Sequence, residues 1–133
     1  MRCFTTAFNM QTIPLKILLV DDSTIVLQRV QQLLHESLPI DTIKITLDGD
    51  DAVKMATIFL PHIILLDISL PTKNGIEALK EIKTNHPAMK VVMFTSQPAD
   101  QYKDLCLQYG ADAYIDKTIE FESVPEIVKQ LML

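Results

Sequence analysis

The sequence predicts an α/β domain in which a mostly parallel sheet carries helices on both faces. Three observations point there. Short, almost wholly apolar runs recur at residues 16–20, 62–67 and 90–95, a composition suited to strands buried on both sides. Segments with helical spacing of apolar residues lie between them. The seven prolines and three glycines fall almost entirely between periodic segments, which marks the element boundaries.

The first strand, Lys16-Ile17-Leu18-Leu19-Val20, ends abruptly in Asp21-Asp22. After Ser23, a candidate N-cap, Leu27, Val30, Leu34 and Leu38 form an apolar stripe, with Gln28, Arg29, Gln31 and Gln32 off it. Ile43-Lys44-Ile45-Thr46-Leu47 alternates and reads as a half-exposed edge strand. Ala52, Val53 and Ala56 open a short helix that must stop before Pro61. The third strand, residues 62–67, repeats the design of the first and ends in Asp67. Ile76, Leu79 and Ile82 mark the third helix, and residues 90–95 the fourth strand, ending in Thr95. Tyr102, Leu105, Cys106 and Tyr109 mark the fourth helix, with Gly110 closing it as a C′ residue. Ala113-Tyr114-Ile115-Asp116 is the fifth strand. Ser123-Val124-Pro125-Glu126 has the form of a capping box, and Val124, Ile127, Val128 and Leu131 supply the apolar face of the last helix. Residues 1–13 fall outside this scheme and are expected to form a poorly ordered N-terminal extension to a domain spanning 14–133.

A chain of 133 residues suits one domain, and 48% hydrophobic with 22% charged residues supports a folded core. Twelve basic against seventeen acidic residues give 12 − 17 = −5, which argues against broad electrostatic binding to nucleic acid or an anionic membrane. No apolar run approaches the roughly 20 residues needed to span a bilayer, and the opening residues lack a signal peptide's apolar stretch. Cys3 and Cys106 cannot make a disulfide framework, so reduced thiols and a cytoplasmic location are expected. His35, His62 and His86 read as surface or boundary residues.

Chemistry concentrates at the strand ends. In a parallel α/β sheet all carboxyl ends share one edge, and ligands bind where the strand order reverses. Asp67 follows four apolar residues, an unusual place for a carboxylate without a partner. If the first and third strands are neighbours, Asp21, Asp22 and Asp67 converge. Two unit charges about 4 Å apart repel by ~4 kcal/mol at an effective dielectric of 20, so the cluster calls for a cation. Hard carboxylate oxygens suit Mg²⁺, and no His or Cys beside them suggests zinc. Read singly, the acids could be separate helix caps. Thr95 and Lys117 add a hydroxyl and a fixed positive charge to the same edge, a combination that fits an arriving phosphoryl group. Asp67, placed centrally, is then the expected nucleophile.

These residues resemble the CheY-like receiver domain of response regulators in two-component signalling. The resemblance rests on Val20-Asp21-Asp22-Ser23, on Leu65-Leu66-Asp67 with Pro71 and Gly75 following, on Thr95-Ser96, and on Tyr114 three residues before Lys117. It runs from about Leu15 to the C-terminus. It implies a flavodoxin-like (βα)5 sandwich with strand order 2-1-3-4-5. It implies Asp67 as phosphoacceptor from a phosphohistidine on a sensor histidine kinase or a histidine phosphotransferase. Mg²⁺ would be held by Asp21, Asp22, Asp67 and the backbone carbonyl of Ser69, with Lys117 pairing the phosphoryl oxygens. Thr95 and Tyr114 would act as the switch, altering the face built from the fourth helix, fifth strand and fifth helix, where a downstream protein target binds. Such a chain acts as a monomer or a phosphorylation-dependent dimer, without direct nucleic-acid or membrane contact and without small-molecule turnover.

The chain departs from the family pattern at Thr118, where proline in a cis bond is common. A non-proline cis bond costs ~2.5–4 kcal/mol, so Lys117–Thr118 is expected to be trans. Asn74 replaces a frequent Asp at a solvent position, and Ser69 and Gln97 border the route of attacking water. Two other classes remain as alternatives: a flavodoxin-like cofactor binder, which Asp21-Asp22 would hinder by repelling a phosphate, and a Mg²⁺-dependent aspartyl-phosphate phosphohydrolase, for which a second acid near Asp67 and a cap are lacking.

Overall fold

The computed structural model describes residues 15–132; the extension expected over 1–13 lies outside them. The elements are β1 (Leu15–Val20), α1 (Thr24–Ser37), β2 (Ile40–Thr46), α2 (Gly49–Phe59) and β3 (Ile63–Leu66). They continue with α3 (Gly75–Asn85), β4 (Lys90–Thr95), α4 (Ala99–Gln108), β5 (Ala113–Asp116), a 3₁₀ turn (Phe121–Ser123) and α5 (Val124–Met132). All four strand pairings are parallel and the order is β2-β1-β3-β4-β5, the flavodoxin-like arrangement. No helix among the described residues is long and apolar enough to cross a membrane.

Alternation along each strand divides the apolar residues between two layers. Ile17, Leu19, Ile63, Leu65, Val92, Phe94 and Ile115 pack against Leu27, Val30 and Leu34 of α1 and Val124 and Val128 of α5. Leu18, Val20, Ile64, Leu66, Val91, Met93 and Tyr114 face α2, α3 and α4, meeting Ala52, Ala56, Ala78, Leu79, Ile82 and Cys106. Both faces of β1, β3 and β4 are therefore covered, which is why their sequences are unbroken apolar runs.

Four local expectations need correction. The edge strand starts at Ile40, not Ile43, because pairing with β1 begins at Leu15↔Ile40; it stops at Thr46, leaving Leu47 exposed. Leu38 lies beyond α1 as its C-cap, since Pro39 disfavours helical geometry in the residue before it. In α4 the buried stripe is narrower than its spacing suggests: Cys106 is wholly buried, Ala99 and Tyr102 are partly so, and Leu105 and Tyr109 face solvent. Tyr109 lies beneath the Lys80 ammonium, 4.1 Å from its ring centroid. Lastly, the 3₁₀ turn runs straight into α5, and the Ser123 hydroxyl donates back to the Glu120 carbonyl, so it does not form the predicted capping box.

Helix α3 shapes the chain that leaves β3. Its first residue, Gly75, sits so close to that chain that a Cβ there would lie 1.9 Å from the Asp67 carbonyl oxygen. The Gly75 N–H donates to the Ile68 carbonyl at 2.8 Å, closing the loop that begins with Asp67. Gly75→Ala is expected to lower stability by about 1–3 kcal/mol, because backbone and not a flexible side chain must move. Urea unfolding of the two proteins measures it.

Candidate functional site

Asp21 and Asp67 are the first residues after two adjacent strands. The register pairs Val20 with Leu66, and the Asp67 N–H donates to the Val20 carbonyl at 3.1 Å, so the two acids emerge side by side. Asp22 joins them: one carboxylate oxygen from each of Asp21, Asp22 and Asp67 lies within 4.8 Å of the others. Asp21 is 3% and Asp67 6% exposed, whereas Asp22 is open to solvent. Lys117, at the end of β5, reaches across the sheet edge. Its Nζ donates to Asp21 Oδ2 at 2.5 Å and to Asp67 Oδ2 at 2.9 Å.

Local backbone holds the remaining oxygens. Asp21 Oδ1 accepts from Ser23 N–H at 2.8 Å, and Asp67 Oδ1 accepts from Ile68 N–H at 2.7 Å and Ser69 N–H at 3.4 Å. Ser23 caps α1 by accepting from Val26 N–H, as its position suggests. The Lys117 N–H is bonded to the Thr95 carbonyl at 3.0 Å. The described residues contain no cis peptide bond, so Lys117–Thr118 is trans as expected, and Lys117 still reaches the acids.

The electrostatics do not balance. Three carboxylates and one ammonium sum to −3 + 1 = −2. Burial pushes the Asp21 carboxyl above its ordinary range, and the hydrogen bonds from Lys117 and the Ser23 N–H only partly oppose this. For Lys117, burial works to lower the ammonium's pKa, but hydrogen bonds to Asp21 and Asp67 outweigh it and leave the pKa raised. The lysine is thus held charged while the acids keep a surplus of negative charge. Hard oxygen donors converging with that surplus fit a divalent cation of the Mg²⁺ kind better than a softer metal.

Beside the acids, Thr95 is fully buried and its hydroxyl accepts from the Gln97 N–H at 3.3 Å. Gln97 makes two further bonds. Its Nε2 donates to Ser69 Oγ at 2.7 Å, tying the loops after β3 and β4 together, and its carbonyl accepts from the Tyr114 hydroxyl at 2.8 Å. The Tyr114 ring is buried, and burial pushes its hydroxyl up to about 12. Every residue expected at the site therefore lies at this edge of the sheet. Sequence reasoning missed Gln97 as the link between Ser69, Thr95 and Tyr114; its place two residues past Thr95 was the available signal. It also missed the second role of Asn74, which is exposed as expected but caps α3, accepting from Ile76 and Glu77 N–H. His62 and His86 serve the opposite edge, His62 accepting from Lys16 N–H at 3.0 Å and His86 pairing with Thr57 at 3.0 Å.

A doubly wound parallel sheet with an acidic pocket and a lysine at its carboxyl edge defines a class of signalling module, and comparison with known proteins agrees. Residues 17–129 match the family described as the response regulator receiver domain. The chain is 34% identical over 108 residues to a protein-glutamate methylesterase/protein-glutamine glutaminase of Shewanella denitrificans, covering 80% of this chain and 28% of that protein. It is 32% identical over 117 residues to the response regulator protein VraR of Staphylococcus saprophyticus, covering 88% and 56%. Among solved structures, a CheY-like receiver domain from Methanospirillum hungatei superposes with TM-score 0.80 at 28% identity, over 90% of this chain and 94% of that one. The BeF3-activated DrrB receiver domain gives TM-score 0.79 at 28% identity, over 90% and 98%. The chain belongs to the response regulator receiver domain family of two-component signalling. It spans only 28% of the length of the methylesterase and 56% of that of VraR.

The charge surplus makes a testable demand on stability. Asp21→Asn removes one desolvated acid and leaves the Lys117–Asp67 pair intact, so without divalent cation at neutral pH it should raise stability by about 1 kcal/mol. Because the folded-state pKa of Asp21 is raised, wild type gains stability as pH falls toward the ordinary carboxylate range. The advantage of Asp21→Asn should therefore shrink on acidification, and shrink again when Mg²⁺ is added. Thermal unfolding at several pH values, with and without chelator, measures all three effects.

Proposed function

We infer that this chain is a phosphorylation switch that accepts a phosphoryl group onto Asp67 from a phosphohistidine on a sensor histidine kinase or histidine phosphotransferase. The observation that carries this reading is the bridging of Asp21 and Asp67 by Lys117 inside a trio of acids that still has negative charge to spare. Asp21, Asp22, Asp67 and the carbonyl of Ser69 would hold Mg²⁺, which supplies charge compensation for the incoming phosphoryl oxygens. A carboxylate oxygen of Asp67 attacks phosphorus; the new O–P bond forms as the P–N bond to the donor imidazole breaks. The departing nitrogen keeps the bonding pair and becomes the neutral imidazole's acceptor nitrogen. Lys117 offers an ammonium already charged and already beside the attacking group, so little reorganisation is required.

Two exposed apolar residues border this edge. Ile25, in the first turn of α1, is 70% exposed, and Ile119, two residues past Lys117, is 80% exposed. Side chains of this kind are suited to contact with a protein donor. From the site, the bonds Thr95–Gln97–Tyr114 lead toward the α4–β5–α5 face, where a downstream protein would bind. Helix α4 has one fully buried side chain, Cys106, which makes it the least costly helix to shift. Phosphorylation need only favour one pre-existing arrangement of Thr95 and Tyr114, and the inward Tyr114 bonded to the Gln97 carbonyl would be one of the two. On this reading residues 14–133 form the receiver domain, acting in the cytoplasm as a monomer or a phosphorylation-dependent dimer.

Incubation with acetyl phosphate and Mg²⁺ followed by intact-mass measurement tests it. Wild type should gain the mass of one phosphoryl group, and neither Asp67→Asn nor wild type in excess chelator should do so. A wild-type chain that remains unmodified, or an Asp67→Asn chain modified to the same extent, contradicts it.

A further inference from the structure

The segment between Asp67 and α3 contains a strained residue that makes no hydrogen bond to Asp21, Asp22 or Asp67. Thr72 has φ 65°, a left-handed value that a β-branched side chain seldom adopts. The Lys73 N–H donates to the Pro71 carbonyl at 2.8 Å, so Thr72 is the centre of a three-residue γ-turn of the rare positive-φ form. Within the loop that single bond closes the turn. The further contacts that hold it come from another element, the start of α2.

Three hydrogen bonds make that attachment, and the Lys73 ammonium adds an ion pair with Asp50 at 3.6 Å. The Gly49 N–H donates to the Pro71 carbonyl at 3.2 Å, and the Asp50 N–H donates to Thr72 Oγ1 at 3.2 Å. The Thr72 hydroxyl in turn donates to Asp48 Oδ1 at 3.1 Å. Asp48 is itself the N-cap of α2, accepting from Asp51 N–H at 2.9 Å, a bond that holds its carboxyl below the usual carboxylate range and keeps it an ionised acceptor at neutral pH. Two of the helix's otherwise unpaired N–H groups are thus satisfied by the loop and a third by the cap. The backbones also touch closely: a Cβ on Gly49 would lie 1.8 Å from the Lys73 carbonyl oxygen. The loop is pinned at its other end by the Gly75–Ile68 bond, leaving Ser69 between two anchors.

We propose that Thr72 is a positioning residue, whose hydroxyl bonds to α2 fix the Ser69 carbonyl and Asp67 for metal binding. This rests on the reading of those two groups as Mg²⁺ ligands. Strain at one residue persists only where its surroundings over-determine it, and here those surroundings include the N-terminus of α2. The arrangement makes metal affinity depend on a side chain that never touches the metal.

The test is calorimetric titration of the full chain with Mg²⁺ for wild type, Thr72→Val, Thr72→Ser and Thr72→Gly, each with its thermal unfolding midpoint. Thr72→Val keeps shape and strain but loses the hydroxyl, and its Mg²⁺ affinity should fall by about 10-fold or more. Thr72→Ser keeps the hydroxyl and should bind nearly as wild type does. Thr72→Gly loses both hydroxyl and strain; its affinity should fall as in Thr72→Val even though the two midpoints differ. Equal Mg²⁺ affinity in all four proteins, with only the midpoints changing, overturns the proposal and leaves Thr72 a structural residue. A wild-type chain that binds no Mg²⁺ overturns the reading of the acids on which it rests.

Discussion

One ammonium shared between two buried carboxylates governs this molecule. Among the described residues Lys117 is the sole cation in contact with Asp21 and Asp67, and it comes from the fifth strand while the acids come from the first and third. A single positive charge cannot neutralise three negative ones. Yet it can hold them near one another, because removing all compensation would leave two desolvated carboxylates in mutual repulsion. The site is stable enough to exist and still carries uncompensated negative charge.

The sheet makes that possible at small cost in chain. Parallel strands deliver every carboxyl end to one edge, so residues separated by 96 and 50 positions in sequence meet Lys117 without a dedicated loop. The apolar runs that build the strands also wall the acids on their inner side, and the resulting desolvation is what raises the Asp21 pKa. On the outer side the two tethered loops differ in kind. The loop after β4 is held through Gln97 to Ser69 and Tyr114, whereas the loop after β3 is held through Thr72 to α2.

Much of this was legible in the residues. Strands buried on both faces announce themselves as unbroken apolar runs, and Asp67 at the end of such a run stands out because the run offers it no side-chain partner. Positions set by competition between neighbours were less legible. Ser123 has the right partner spacing for a capping box, but the preceding 3₁₀ turn offers its hydroxyl the Glu120 carbonyl instead. Leu105 has helical spacing with Tyr102, yet α4 rests on the sheet along a narrower line than periodicity alone suggests. The place of Gln97 two residues past Thr95 was a signal, but its bonds to Ser69 and Tyr114, like those of Thr72 to α2, join separate elements, and no pattern within a short window encodes which loop will lie against which element.

The measurement that bears most directly on the central electrostatic claim is the location of a bound divalent cation, read from the anomalous scattering of Mn²⁺ in crystals of the chain. One strong peak is expected among the Asp21, Asp22 and Asp67 carboxylates and the Ser69 carbonyl, with Lys117 still directed at Asp67. A peak elsewhere on the surface, with the three acids bare and Lys117 bridging Asp21 and Asp67 unchanged, would contradict it.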